Sequence, residues 1–209
     1  MNAPYWCGIL LAAGKGRRFD ASGVRNKLLQ PLPSGLAVAA ASAQNLCSAL
    51  PRSLAVVSTR NPELADALIK AGCEISVCAP VPVEGADGMA RSLVHGLRQA
   101  PDDCAGWIIA LADMPYVQPA SMLALVQALR DGAGIAVPVH QGRRGNPVGF
   151  AREYLPQLLA LTGDQGARGV LKTYPVTEVI VDDPGIFRDI DLPQDLSDGL
   201  NISNSGISS

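Results

Sequence analysis

Ile9-Leu10-Leu11-Ala12-Ala13-Gly14-Lys15-Gly16-Arg17-Arg18-Phe19 decides how this chain is read. The apolar run has the character of a buried strand, and it passes directly into a turn carrying two glycines and three cations. Glycine lets backbone N–H groups come close to phosphate oxygens, while clustered Lys and Arg side chains balance polyphosphate charge. Asn26-Lys27-Leu28-Leu29 follows a little later and adds a further cation. A Gly-Lys pair by itself is also what a cationic surface turn offers, so the surrounding sequence has to decide.

Outward from that stretch, short apolar runs recur at 7–12, 54–58, 74–78, 107–111, 135–139 and 176–181, each reading as a buried strand. Helical patterns lie between them. Met122, Leu125, Val126 and Leu129 are spaced i, i+3, i+4, i+7, with Ser121 as a candidate N-cap and Gly132 just past the end. The segment 62–71 closes on Gly72 in the same way, with Leu64, Ala65 and Leu68 on one face. Strand and helix in alternation imply parallel strands joined by right-handed crossovers. The predicted fold is therefore a Rossmann-like three-layer α/β/α sandwich with a mostly parallel sheet. Residues 1–198 read as one domain and 199–209 as a disordered tail.

Ligands in such folds settle beyond the carboxyl ends of the strands. The loop 14–27 follows the first strand, and Ala112-Asp113-Met114-Pro115 follows the strand at 107–111, so both are expected on one rim.

Composition narrows the function. A chain of 209 residues, 48% hydrophobic, is long enough for one well-packed core. A net charge of −2 argues against coating nucleic acid or an anionic membrane. The apolar run from Trp6 to Ala13 is far shorter than the ~20 residues of a bilayer span and has no basic region before it. A soluble cytoplasmic protein is expected. The five cysteines contain no Cys-x-x-Cys pair and read as small core residues. His95 and His140 are the only histidines, which leaves little material for a His-rich metal site or a Ser-His-Asp triad.

Spacing excludes two common phosphate motifs. Walker A requires Ser or Thr after Gly-Lys, and here Gly16 follows Lys15. The dinucleotide fingerprint requires a third glycine where Phe19 stands, and no acidic residue follows at the distance needed to bind a ribose. A cationic loop facing a carboxylate at a strand end suits metal-assisted nucleotidyl transfer. Mg²⁺ takes one or two protein carboxylates and completes its shell with phosphates and water. Asp113 fits that role, although an Asp after a strand is also a common turn or cap residue. Asp189 and Asp191 share one side if 188–193 is extended, and Asp191 either joins the metal or caps the last helix.

Six ordered segments carry a resemblance. These are Leu-Ala-Ala-Gly-x-Gly-x-Arg with Lys27-Leu28-Leu29; 88–93 (Gly-Met-Ala-Arg-Ser-Leu); 112–115; 144–150 (Arg-Gly-Asn-Pro-Val-Gly-Phe); 163–168 (Gly-Asp-x-Gly-Ala-Arg); and 189–196 (Asp-Ile-Asp-Leu-Pro-x-Asp-Leu). Together they resemble the molybdenum-cofactor nucleotidyltransferases, most closely the cytidylyltransferase branch, over about residues 7–198. The resemblance implies that CTP and the terminal phosphate of molybdopterin give the cytosine dinucleotide cofactor and pyrophosphate, with Mg²⁺. It puts Leu11, Ala12, Ala13, Gly14, Lys15, Gly16, Arg17, Lys27 and Ser92 at the nucleotide, and gives Lys27, Arg17 and Asp113 the catalytic roles. Metal binding goes to Asp113 with Asp191, and acceptor binding to Asn146 and Pro147. Met89 and Leu93 read as core, and Ser92 as a contact to base or ribose. A transient contact with a molybdoenzyme or its maturation factor follows from the same resemblance, with neither nucleic acid nor membrane as partner.

The chain departs from the family pattern in three places. The connection 17–27 looks longer than usual, Ala112 stands where glycine is common, and Asn146 stands where the family often has His. Two alternatives stay open: a guanylyl- or other nucleotidyltransferase with a different phosphorylated acceptor, and a non-catalytic nucleotide-binding assembly factor. A sugar-phosphate nucleotidyltransferase would share the fold and the first motif, but it normally needs a larger acceptor region than 209 residues provide, and the motif order after residue 140 points away from it.

Overall fold

Leu10 and Ala12 belong to one apolar cluster and Cys7 and Ile9 to another, so the first strand is buried on both faces. A strand of that kind needs a helical layer on each side. In the computed structural model, which describes residues 5–14, 16, 18–20, 22, 24–58, 61–79, 88–163 and 166–197, those layers are present. The strands are β1 (Trp6–Leu11), β2 (Ser53–Ser58), β3 (Glu74–Cys78), β4 (Gly106–Leu111), β5 (Ile135–His140), β6 (Arg143–Arg144), β7 (Val148–Ala151) and β8 (Thr177–Ile180). The helices are α1 (Val38–Ala49), α2 (Pro62–Lys70), α3 (Met89–Gln99), α4 (Pro119–Arg130), α5 (Leu155–Leu159) and α6 (Arg168–Thr173). Residues of α1, α2 and α4 pack in the first cluster, and residues of α3, α5 and α6 in the second.

The strand order is β3-β2-β1-β4-β7-β5-β6, with β8 alongside β5. β1 pairs in parallel with both β2 and β4, and Leu11 is in register with Leu111. The chain winds from β1 outward to β3, then returns to lay β4 on the other side of β1. Their carboxyl ends thus form a switch point, where the following loops diverge and leave a crevice. The mostly parallel three-layer sandwich expected from the sequence is the observed fold.

Two features differ from the sequence expectation. β7 runs antiparallel between β4 and β5, and β6 is a two-residue antiparallel strand on β5. Both lie within 143–151, where Gly145, Pro147 and Gly149 hide strand character. Ser121 is not the cap of α4. That helix begins at Pro119, and the Ser121 hydroxyl instead donates to the Asp183 carboxylate at 2.7 Å. Gly132 and Gly72 do close α4 and α2, with φ of +104° at each, a conformation that favours glycine. The tail 199–209 lies outside the described residues. Among the described residues no helix is long and apolar enough to cross a membrane.

Candidate active site

The crevice beyond β1 and β4 has a volume of about 510 Å³. One wall comes from the loop after β1, with Gly14, Gly16 and Arg18; the floor holds Lys27 and Asp113; Asp189 and Asp191 close another side. The two loops expected on one rim meet there.

Lys27 is the electrostatic centre. It opens a 3₁₀ turn, Lys27–Leu29, started by the Asn26 side chain accepting from the Leu28 N–H. Gly16 at φ +58° lies against its stem, where an added Cβ would come within 3.3 Å of Lys27 Cγ. Only 9% of Lys27 is exposed. Its Nζ donates to Asp113 Oδ2 at 2.7 Å and to Asp191 Oδ1 at 3.2 Å. Burial opposes the Lys27 charge, but the Asp113 and Asp191 carboxylates outweigh it and hold the ammonium above the ordinary lysine value.

Each carboxylate is held by backbone geometry. Asp113 stands two residues past the end of β4, and its carbonyl accepts from Ile190 N–H at 2.8 Å. That bond ties the Asp113 loop to the 189–191 segment, while Ile190, 1% exposed, is buried between its two acidic neighbours. Asp189 and Asp191 consequently face the crevice together, although this segment is irregular rather than a strand. Asp191 does not cap the last turn. Asp195 does so, accepting from the N–H groups of Asp191 and Leu192 at 2.8 and 2.7 Å, which leaves the Asp191 side chain for Lys27 and Arg18. Partial burial and the negative charges of Asp191 and Asp113 push the Asp189 carboxyl above its usual range.

Behind the floor, Asn45 of α1 donates to the Pro115 carbonyl at 3.0 Å, and Ser42 Oγ is 2.9 Å from the Ala112 carbonyl. Ala112 needs no glycine, because among the described residues Gln141 is the only non-glycine with positive φ. The connection before Lys27 is organised by Asp20, whose carboxylate accepts from Ser22 N–H and Oγ and from Arg25 N–H. Those bonds hold the Asp20 carboxyl below the usual carboxylate range.

Of the residues assigned from sequence, Leu11, Gly14, Gly16, Lys27, Asp113, Asn146 and Asp191 line the crevice. Lys15 and Arg17 lie outside the described residues. Ala12 is buried in the core beneath the loop and Ala13 is half-buried outside the lining. Ser92 also stands off the crevice, because it lies about one turn along α3 from the rim, whereas Met89 at the helix start is 43% exposed and does line it. Met89 is thus not the core residue expected, and Leu93 is buried as expected. Pro147 is buried behind Asn146, against a small cavity shared with Ser42 and Met122. Sequence reasoning did not single out Arg143 or Phe187 and gave Arg168 no role beyond closing the 163–168 motif, yet all three line the crevice. Arg143 adjoins the Arg-Gly-Asn-Pro segment, but nothing local marks Phe187.

A glycine-rich cationic loop and a lysine-bridged pair of carboxylates at the switch point of a parallel sheet define a nucleotide-handling α/β protein. Residues 8–179 match the MobA-like NTP transferase domain, and the chain belongs to that nucleotidyltransferase family. It is 30% identical over 206 residues, 93% of this chain and 96% of the relative, to the purine catabolism protein PucB of Bacillus subtilis (strain 168). The crystal structure of Rv0371c from Mycobacterium tuberculosis H37Rv has the same fold, with a TM-score of 0.80 and 24% identity over 95% of this chain and 98% of that one. That mycobacterial protein is also known as a manganese complex, matching with a TM-score of 0.76 and 24% identity over 94% and 98% of the two chains. A nucleotidyl transferase from Methanothermobacter thermautotroptrophicus (Mth528) matches with a TM-score of 0.73 and 22% identity over 94% and 96%. The resemblance read from the ordered motifs holds at the level of the family.

Proposed function

We propose that this chain transfers CMP from CTP to the terminal phosphate of molybdopterin, releasing pyrophosphate in a Mg²⁺-dependent reaction. The observation that carries the reading is the Lys27 ammonium held between Asp113 and Asp191 in the floor of a crevice walled by the glycine loop. Two carboxylates converging on one point, with open volume beside them, are the protein share of an Mg²⁺ shell completed by phosphates and water. Held by Asp113 and Asp191, Mg²⁺ would supply charge neutralisation for the triphosphate.

The chain's own groups supply the rest. Gly14 and Gly16 leave the loop backbone open to the triphosphate, with Lys15 and Arg17 assigned to the same task. Lys27 is placed to stabilise negative charge on the α-phosphate as a P–O bond forms from the acceptor phosphate and the bond to the β-phosphate bridging oxygen breaks, with pyrophosphate leaving. The attacking oxygen is already anionic, so no strong general base is needed. Positioning and charge stabilisation suffice, as is usual for phosphoryl-type transfer. Asn146 lies on the acceptor side of the crevice. PucB is named for purine catabolism, which directs the search for a client molybdoenzyme to that process.

The test is pyrophosphate release with each of the four nucleoside triphosphates, with and without molybdopterin. CTP with molybdopterin and Mg²⁺ should be the productive combination, and Asp113→Ala should abolish the metal-dependent rate. Release that prefers another triphosphate, or does not depend on molybdopterin, overturns the donor or the acceptor assignment respectively.

A further inference from the structure

Among the described residues, some cations of the crevice are engaged by carboxylates and two, Arg143 and Arg168, are not; of these two only Arg143 is stacked on an aromatic ring. Lys27 is shared by two carboxylates, Arg18 is paired with Asp191, and Arg144 donates to Glu178 at 2.7 Å. Arg143 lines the same crevice, is exposed, and has no carboxylate in ion-pairing range among the described residues. Its guanidinium carbon lies 4.6 Å from the centroid of the Phe187 ring. Stacking on an aromatic face fixes the guanidinium plane and leaves its edge N–H donors free, an arrangement matched to the oxygens of a phosphate.

This shelf is built rather than incidental. Phe187 closes the turn Pro184–Phe187, whose start is held by Asp183 accepting from Gly185 N–H at 2.9 Å. The same carboxylate accepts from Gln118 N–H and Ser121 Oγ on α4, which anchors the turn to a core helix. Asn146 N–H donates to the Ile186 carbonyl at 3.0 Å, and Gly145 approaches Ile186 so closely that an added Cβ would fall 2.6 Å from its carbonyl oxygen. Asn146, Arg143 and Phe187 therefore belong to one wall.

We infer that Arg143, oriented by Phe187, binds the phosphate of the acceptor and makes the enzyme selective for a phosphomonoester nucleophile. The inference rests on the proposed function in taking this crevice as the site of transfer. An anionic phosphate attacking a second anionic phosphate needs charge compensation of its own, separate from the donor's. Arg143 supplies it from a planar fork that can hold two oxygens at once. Phe187 is a positioning residue that acts through Arg143.

Two measurements on the full-length protein test this. In the first, a dicarbonyl reagent labels arginines and mass spectrometry follows Arg143 and the exposed Arg130, with and without inorganic phosphate. Phosphate should slow labelling of Arg143 about fivefold or more at saturation and leave Arg130 unchanged. Phe187→Leu should weaken that protection. In the second, Arg143→Ala should raise the acceptor KM about tenfold or more with the CTP KM within about twofold, and Arg143→Lys should fall between Arg143→Ala and the wild type. Unprotected Arg143, or an unchanged acceptor KM in Arg143→Ala, overturns the inference. A wild-type protein inactive with molybdopterin whose Arg143 is still protected by phosphate overturns the proposed acceptor and supports the phosphate site.

Discussion

At the scale of the residue, Lys27 is costly to bury and stable only because two carboxylates share it. A buried ammonium without partners would shed its proton, whereas this one is held above the ordinary lysine value by Asp113 and Asp191. Lys27→Met keeps the stem and removes the charge. Turnover should fall about a hundredfold or more, with a smaller change in the CTP KM, in steady-state pyrophosphate-release assays. The sign of the pH effect follows from the raised folded value. The stabilisation from Lys27 is complete below the ordinary lysine value and disappears as pH rises through the higher folded one. The stability gap between wild type and Lys27→Met should therefore stay flat from roughly pH 7 to 9 and close only above about 10.5, as read from urea unfolding at each pH.

Among the elements, the turn Pro184–Phe187 shows how a wall of the site is held from the core. Asp183 is 1% exposed and accepts three hydrogen bonds, from Gln118 N–H, Ser121 Oγ and Gly185 N–H. Asp183→Ala leaves those donors without a partner in a space too tight for relaxation, since an added Cβ on Gly185 would already fall 2.1 Å from the Tyr116 carbonyl oxygen. A loss on the order of 3 kcal/mol is expected, seen as a lower urea midpoint with an unchanged m-value. Helix α3 reaches the sheet by a comparable device. An added Cβ on Gly96 would meet Val56 Cγ2 at 2.8 Å and Ile9 Cγ2 at 3.1 Å, so the glycine is what permits that approach.

For the molecule as a whole, the described residues form one sheet covered on both faces, and the site lies across a single crevice rather than between separate units. Ligand binding and global stability should then be coupled. On the proposed reading, CTP with Mg²⁺ at a hundred times its Kd adds about 2.7 kcal/mol to the folded state. For a chain of this size that corresponds to a rise in melting temperature of roughly 5–10 °C. Differential scanning fluorimetry should show that rise for wild type, its loss on chelation, and little of it in Asp113→Ala.

The sequence determined the parallel part of the sheet and the two loops on its rim, because both depend on local pattern: continuous apolar runs for doubly buried strands, a glycine-rich turn after β1, and an Asp just past β4. It also carried the family, through six short segments in order. Tertiary structure alone decided the wall of the crevice that carries Arg143 and Phe187. Arg143 and Phe187 are 44 positions apart and meet only because β6 and the turn Pro184–Phe187 fold to the same edge of the crevice. Ser92 and Met89 have the same origin, since one turn of a helix decides which reaches the rim, and nothing in their residue types fixes where that helix begins. The roles of Asp191 and Asp195 were likewise settled by the backbone, which turned one carboxylate toward Lys27 and the other toward its N–H groups. Periodicity reports which face of an element is apolar; only the packing of elements against each other sets which polar groups converge.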